Sequence, residues 1–129
     1  MALVDIADVI SADRLEATVD SIARVQHEDG CIPWYEGGHS DPWNHVEAAM
    51  ALDVGGLHGE AERAYEWLMA NQMPDGSWFN YYTGGRMKDP TADTNVSTYV
   101  AVGTWHHYLA TADKGFLLEM FPTIERSLS

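Results

Sequence analysis

The sequence of 129 residues is long enough for one domain with a single core, and its 46% hydrophobic and 21% charged residues are typical of a globular protein. Twenty acidic against seven basic side chains give a net charge of −13 with histidine neutral. Such a charge repels phosphate backbones and anionic membranes, so we expect no nucleic-acid partner.

The cysteine content and the N-terminus bear on the compartment. Cys31 is the single cysteine, which excludes an intramolecular disulfide and a CxxC metal site. The first residues carry acids where a signal peptide would carry bases. No apolar run approaches the ~20 residues that a membrane span requires. These features predict a cytoplasmic protein without a membrane span.

Helical periodicity dominates the first half of the chain. A helix is predicted over residues 13–26, where apolar side chains recur at three- and four-residue steps at Leu15, Val19, Ile22 and Ala23. Asp41-Pro42 has the pattern of an N-cap followed by proline in the first turn, and predicts a second helix that stops at Gly55-Gly56.

The second half predicts three more helices and no confident strand. The third helix covers about residues 59–72, and the fourth covers about residues 94–109, with Trp105 and Tyr108 expected in the core. Thr111-Ala112-Asp113 caps the fifth helix, which Pro122 is expected to kink or interrupt.

A repeated pattern connects these helices. Gln26-His27-Glu28-Asp29-Gly30 recurs 46 residues later as Gln72-Met73-Pro74-Asp75-Gly76, and each copy is followed by an aromatic loop, a glycine pair, an Asp-Pro step and a helix rich in small residues. The repeat predicts a single domain over residues 1–129, built from helical hairpins at about 13–57 and 58–110 with a partial third unit at 113–129.

Two stretches resemble known families. The segment from Gln72 to Trp78 resembles the Gln-Trp repeat of squalene cyclases and related prenyltransferase-like toroids. Residues 93–113, with 116–124 after them, are similar to six-hairpin glycosidases, where an aromatic helix leads into a capped, proline-interrupted one. Both resemblances imply an all-α fold, an α/α toroid-like array of about five helices. The ring is incomplete, because such toroids have six hairpins; either the chain is a fragment or partner chains complete the ring.

The toroid resemblance also implies where a ligand would bind. In such folds the loops that lead into the inner helices line the central cavity, and the repeat places those loops at about residues 34–44 and 78–95. The candidate ligand-binding residues are therefore Trp34, Tyr35, His39, Trp43, Asn44, His45, Trp78, Tyr81, Tyr82, Arg86 and Asn95. The candidate catalytic carboxylates are Glu36, Asp41, Glu47 and Asp93.

Most of these residues also have a structural interpretation. Asp41 and Asp93 occupy N-cap positions, Glu36 and Glu47 suit a solvated surface, and one turn into a helix the default for His45 is a buried side chain. The spacing of His39 and His45 is not diagnostic of a metal site, so no metal or cofactor is predicted.

Aromatic faces beside carboxylates suit two kinds of ligand. A sugar stacks on the rings and receives a proton from an acid, and a terpenoid carbocation is stabilised by the same rings. The favoured hypothesis is part of a carbohydrate-acting, six-hairpin glycosidase-like protein. The alternatives are a prenyltransferase or terpenoid-cyclase-like protein and a non-catalytic helical-repeat interaction domain. The expected partners are a glycan or isoprenoid ligand, and either a second copy or the remaining half of a toroid in trans.

Overall fold

Six helical segments make up most of the computed structural model, which describes residues 9–129. They are α1 (Ala12–Val25), α2 (Pro42–Val54), α3 (His58–Asn71), α4 (Thr94–Thr98), α5 (Val100–Thr111) and α6 (Lys114–Ser127). Tyr99, which separates α4 from α5, itself has helical backbone angles. The predicted all-α class with about five helices is therefore confirmed. The acidic N-terminal residues 1–8 lie outside the described part of the chain.

Three short strands correct the expectation of no strand. β1 (His39–Ser40), β2 (Tyr81–Thr83) and β3 (Arg86–Asp89) form an antiparallel sheet in the order β1-β2-β3. Gly84 and Gly85 both have positive φ and make the two-residue turn between β2 and β3. Strands of two to four residues are too short to show alternation in the sequence. The pairing of β1 with β2 joins the two aromatic loops.

Aspartates start the two helices that follow the aromatic loops. The Asp41 side chain accepts a hydrogen bond from Asn44 N at the start of α2, and the Asp93 side chain does the same for Asn95 N and Val96 N at the start of α4. Asp93 is thus the structural counterpart of Asp41, although the sequence repeat pairs Asp41 with Asp89. In the last helix, α6 continues through Pro122 without a break.

The repeated turns hold consecutive units together in the same way. Gln26 Nε2 donates to Gly30 O at 3.0 Å and to Glu60 O on α3 at 2.9 Å. Gln72 Nε2 donates to Gly76 O and to Thr123 O on α6, both at 2.9 Å. Arg63 and Arg126 donate to the side-chain oxygens of these two glutamines. Each Gln-x-x-Asp-Gly turn therefore attaches its own unit to the first helix of the next unit, α3 or α6.

The core lies between α2, α3 and α5, with α6 packed against it. Its largest fully buried side chains are those of Trp78, Tyr65, Leu52, Leu68 and Met120. The expectation that Trp105 lies in the core was wrong, since its side chain is 52% exposed and packs on the Tyr108 ring. In the part of the chain that the structure describes, no helix is both long and apolar enough to cross a membrane.

A buried carboxylate lies at the opposite end of α2 from the aromatic loops. Asp53 is fully buried near the C-terminus of α2, where the helix dipole disfavours a negative charge. His58 Nδ1 and His107 Nδ1 each lie 2.9 Å from Asp53 Oδ1, and His107 Nε2 lies 3.5 Å from Glu62 Oε1. Burial lowers the pKa of His107, but the neighbouring Asp53, Glu62 and Asp113 outweigh it and the pKa is raised.

Loss of this pairing should destabilise the fold. We expect His107→Leu to lower the free energy of unfolding by about 3 kcal/mol, because Asp53 loses its fully buried partner. His58→Leu should cost less, because the side chain of His58 is 34% exposed. The pKa of His107 is higher in the folded chain than in the unfolded chain. Its contribution to stability is therefore complete below the pKa of the unfolded chain and is lost as the pH rises through the pKa of the folded chain. Urea unfolding at pH 6 and pH 8 measures the stability of both variants and its pH dependence. If the pH dependence of His107→Leu equals that of the unsubstituted protein, His107 is not the group that causes it.

Candidate functional site

The two aromatic loops meet in a hollow of about 280 Å³, which we call the Trp34 cleft. It lies at the N-terminal ends of α2 and α4. Both loops contribute polar and aromatic side chains, and the lining residues are Trp34, Asp41, Trp43, Asn44, Asn80, Tyr81, Asp93, Asn95 and Val96. The structure thus brings together seven of the predicted site residues, from units that are some 50 residues apart in sequence.

Asp41 is the most tightly held carboxylate of the cleft. Only 7% of the residue is exposed. Its Oδ2 accepts from Trp34 Nε1 at 2.5 Å and from Asn44 Nδ2 at 2.9 Å, and its Oδ1 accepts from Asn44 N at 3.0 Å. All three contacts use the carboxylate as an acceptor, which is the pattern of an ionised side chain. The hydrogen bond from Trp34 Nε1 also fixes the edge of the Trp34 ring in the cleft.

Asp93 enters the cleft from the second loop. Its Oδ1 accepts from Asn95 N at 2.8 Å and, more weakly, from Val96 N at 3.4 Å. Asp41 and Asp93 thus belong to one site, each at the N-terminus of a helix, where the helix dipole favours negative charge. Their capping role is compatible with a second role toward a ligand, because both residues line the hollow.

The two exposed tryptophan rings of the cleft pack against different residues. Trp34 and Trp43 are 53% and 44% exposed. The Trp34 ring packs on His39, which in turn contacts Tyr81 edge-on. The Trp43 ring packs on Tyr99, and Trp43 Nε1 donates to Glu47 Oε1. Tyr99 also donates to Glu47 through its hydroxyl, and this hydrogen bond raises the pKa of Tyr99.

Two further hollows adjoin the Trp34 ring. One of about 460 Å³ lies against α1 and includes Tyr35 and Glu36. The other, of about 440 Å³, is lined by Trp34, His39, Tyr81, Thr83 and Lys88. Trp34 borders all three hollows, so the surface around it is an extended groove rather than a closed pocket.

Other predicted site residues lie elsewhere. His45 and Trp78 are fully buried, and Tyr82 is 4% exposed. His45 Nδ1 accepts from Ile32 N, and its Nε2 faces Ala64 O at 2.7 Å; Trp78 Nε1 donates to Leu68 O. The hydrogen bonds of His45 and Trp78 connect loops to helices, and the two side chains have almost no surface free for a ligand. Arg86 is exposed at the start of β3 and lines none of these three hollows.

The prediction missed several residues around the cleft: Asn80, Thr83, Lys88, Val96 and Tyr99. Thr83 and Lys88 are positioned by the hairpin of β2 and β3. The sequence signal for that hairpin was Gly84-Gly85 between the short polar and aromatic runs of residues 81–83 and 86–89.

The sequence relatives of this chain are glycosyl hydrolase-like. One is the MMP endo-(1,4)-3-O-methyl-alpha-D-mannosidase of Mycolicibacterium hassiacum, which is 41% identical over 127 residues, or 98% of this chain and 35% of that protein. Another, from Methanocaldococcus jannaschii, is described as an uncharacterized glycosyl hydrolase and is 30% identical over 80 residues, or 61% of this chain and 13% of that protein. No protein-family model matches the sequence.

These relatives support the predicted resemblance to glycosidases, and with it a carbohydrate-acting function in general. The resemblance to prenyltransferase repeats has no counterpart in their names, and closure into a toroid stays a prediction. The chain spans about a third of the length of the mannosidase and a smaller part of the second relative.

Proposed function

We propose that this chain forms part of the substrate-binding cleft of a glycosidase-like protein, and that the Trp34 cleft binds a carbohydrate chain. The observation that carries the proposal is that one hollow brings two exposed tryptophans and an aspartate of the first repeat unit together with Asp93 of the second. A binding site assembled from two units is not required by capping alone, since each aspartate caps its own helix.

The aromatic rings suit the apolar faces of sugar rings. Trp34, Trp43 and Tyr81 are partly exposed and line the same hollow. Asn44, Asn80 and Asn95 add amide groups, which donate to and accept from hydroxyls. Ring faces and amides are the two kinds of contact that a polyhydroxylated ligand with an apolar face requires. The adjoining hollows around Trp34 favour a ligand several sugar units long.

The carboxylates of the cleft suit glycoside hydrolysis, which uses a pair of acidic side chains. Asp41 accepts three hydrogen bonds and has the pattern of the ionised member, which stabilises a developing positive charge or activates water. Asp93, on the other loop, is the candidate for its partner. Glu36 and Glu47 lie outside the cleft, and Glu47 is bound to Trp43 and Tyr99.

For the substrate, we propose an α-1,4-linked mannose chain carrying 3-O-methyl groups, by analogy with the name of the mannosidase relative. O-methyl groups raise the apolar character of a sugar, which fits a cleft with two exposed tryptophans. An isoprenoid ligand is less suited, because two aspartates and three asparagines would lose hydration on binding an apolar chain.

Loss of the Trp34 ring should weaken carbohydrate binding. We expect Trp34→Ala to weaken binding of an O-methylated α-1,4-mannose oligosaccharide at least tenfold, since one stacked ring contributes about 1.4 kcal/mol. Trp105→Ala is the matched control, because Trp105 has the same exposure but lies outside the cleft. Isothermal titration calorimetry measures both, and equal losses in the two variants would reject the cleft as the sugar site.

A further inference from the structure

One hollow of the groove is built largely by a hairpin that the repeat does not require. Gly30 and Asp41 are 11 positions apart in the first unit, whereas Gly76 and Asp93 are 17 positions apart in the second. The longer segment contains the hairpin of β2 and β3, which supplies most of the lining of the hollow of about 440 Å³. Because the first unit joins its helices without such a hairpin, packing of the repeat does not account for it. We call this hollow the Lys88 hollow, and its lining residues are Trp34, His39, Tyr81, Thr83 and Lys88.

The three-stranded sheet brings side chains of both loops to this hollow. His39 of β1 pairs with Thr83 of β2, and Tyr81 lies two residues before Thr83, so the three side chains share one face of the sheet. The centroids of the His39 and Tyr81 rings are 5.0 Å apart. The Trp34 ring packs on His39 at a centroid distance of 4.6 Å. The hollow therefore has aromatic walls from both repeat units.

Lys88 is placed by an irregularity of the hairpin. Tyr81 pairs with Asp89 across the two strands. The next residue of β2, Tyr82, pairs with Met87. Lys88 is therefore the extra residue of a β-bulge and has no partner on β2. Bulges redirect side chains and are over-represented next to active sites, and here the redirected side chain lines a hollow that adjoins the Trp34 cleft.

The polar groups of the Lys88 hollow are not used within the protein. Among residues 9–129, no hydrogen bond or ion pair joins the side chains of His39, Tyr81, Thr83 or Lys88 to another residue. The Lys88 ammonium group only donates hydrogen bonds, and the hydroxyl groups and the imidazole can donate as well. In the Trp34 cleft, by contrast, Asp41 accepts from Asn44 N. The Lys88 hollow thus offers several free donors to a ligand.

The Lys88 hollow also differs in charge from the rest of the groove. The Trp34 cleft includes Asp41 and Asp93, and the hollow against α1 includes Glu36. The lining of the Lys88 hollow includes a lysine and no carboxylate, in a chain with 20 acidic and 7 basic side chains. The nearest charges decide what binds there, because at physiological ionic strength the field of distant surface carboxylates is screened over about 8 Å.

We propose that the Lys88 hollow binds a carboxylate group carried at one end of the carbohydrate chain whose sugar rings occupy the Trp34 cleft. This inference rests on the proposed function, because it extends the same ligand past the Trp34 ring. A carboxylate only accepts hydrogen bonds, and the Lys88 ammonium and the hydroxyl groups of Tyr81 and Thr83 are suitable donors. The Trp34 ring borders both hollows, so a single chain can stack on it and reach Lys88.

Paired ligands test this inference by isothermal titration calorimetry. The first pair is an O-methylated α-1,4-mannose oligosaccharide with a carboxymethyl group at its reducing end, and the corresponding amide, which has nearly the same shape and no charge. The second pair carries the acid, or its amide, at C6 of the non-reducing sugar. We expect one of the two acids to bind about fivefold more tightly than its amide at low ionic strength, and this preference to fall as salt is added. The pair that shows the preference identifies the end of the chain that carries the carboxylate.

Lysine variants locate the preference in the molecule. The chain has two lysines, Lys88 and Lys114, and both are exposed. Lys114 lies at the start of α6 and does not line the Lys88 hollow. Lys88→Met should bind the acid and the amide equally. Lys114→Met changes the net charge by the same amount and should retain the preference for the acid.

Three results would overturn the inference: equal affinities for acid and amide in both pairs, a preference that survives Lys88→Met, or a preference that Lys114→Met removes to the same extent. In each of these cases the oligosaccharide still binds, and the proposed function stands. If neither acid nor amide binds to the unsubstituted protein, the proposed function itself is wrong, and this inference is wrong with it.

Discussion

Gly30→Ala is expected to lower the free energy of unfolding by about 3 kcal/mol or more. This figure is the sum of the cost of a positive φ for alanine and the cost of the steric overlap of its Cβ. Gly30 has φ of +96°, and a Cβ there would lie 2.1 Å from the backbone oxygen of Arg63. That oxygen belongs to α3, so neither a side-chain rotation nor a local shift relieves the contact. Gly76 has φ of +86° and the same relation to Arg126 O at 2.0 Å, so Gly76→Ala should behave alike.

Two other glycines separate the cost of a positive φ from the cost of the close backbone contact. Gly37 has φ of +73° and open space around its Cβ, so Gly37→Ala should cost only the left-handed strain of about 1 kcal/mol. Gly59 lies in α3 with open space, and Gly59→Ala should stabilise by up to about 1 kcal/mol. Urea denaturation followed by circular dichroism measures all four variants. If Gly30→Ala costs no more than Gly37→Ala, the close contact between repeat units is not as we describe it.

A fall in pH from 8 to 5 is expected to reduce the stability by about 2 kcal/mol through His45 alone. Burial lowers the pKa of His45 to about 4, against an ordinary value of 6.5. The unfolded chain therefore takes up a proton that the folded chain cannot accept. The contribution of His45 to stability is complete above its pKa in the unfolded chain, 6.5, and is lost as the pH falls from there toward its pKa in the folded chain. The contribution of His107 is instead lost at higher pH, as the pH rises through its raised pKa.

The tautomer of His45 provides an independent check. Ile32 N–H can only donate, so His45 Nδ1 must accept and Nε2–H must donate to Ala64 O. Long-range ¹H–¹⁵N spectra should show this neutral tautomer down to pH 5, while exposed histidines of the unfolded chain titrate. An imidazolium signal for His45 at pH 5.5 would contradict both the hydrogen bonds and the predicted loss of stability.

The repeat and the caps were accessible from the sequence because they are local signals. Gln26 and Gln72 recur with an Asp-Gly step, and glycine after a helix end takes a positive φ that other residues avoid. Asp41 and Asp93 precede helical periodicity, and both cap helices. Neither signal required knowledge of what the next unit contacts.

The division between core and cleft was less accessible, because it depends on contacts between units. Trp34 and Trp78 follow the Asp-Gly steps of the two loops by four and by two residues, and Trp34 is exposed whereas Trp78 is fully buried against α3. The hairpin of β2 and β3 is present only in the second loop and sets the two loops apart. Trp105 lies on an apolar helix and was assigned to the core, because periodicity does not show whether a neighbour is present on each face.

The most direct test of the account is a titration followed in the indole region of ¹H–¹⁵N spectra, where the five tryptophans of the chain give five side-chain signals. An O-methylated α-1,4-mannose oligosaccharide is added to the ¹⁵N-labelled protein. We predict that the signals of Trp34, whose Nε1–H is bound to Asp41, and Trp43 shift, and that those of Trp67, Trp78 and Trp105 do not. Saturable shifts confined to Trp105, or no shifts at millimolar ligand, would contradict a carbohydrate site at the Trp34 cleft.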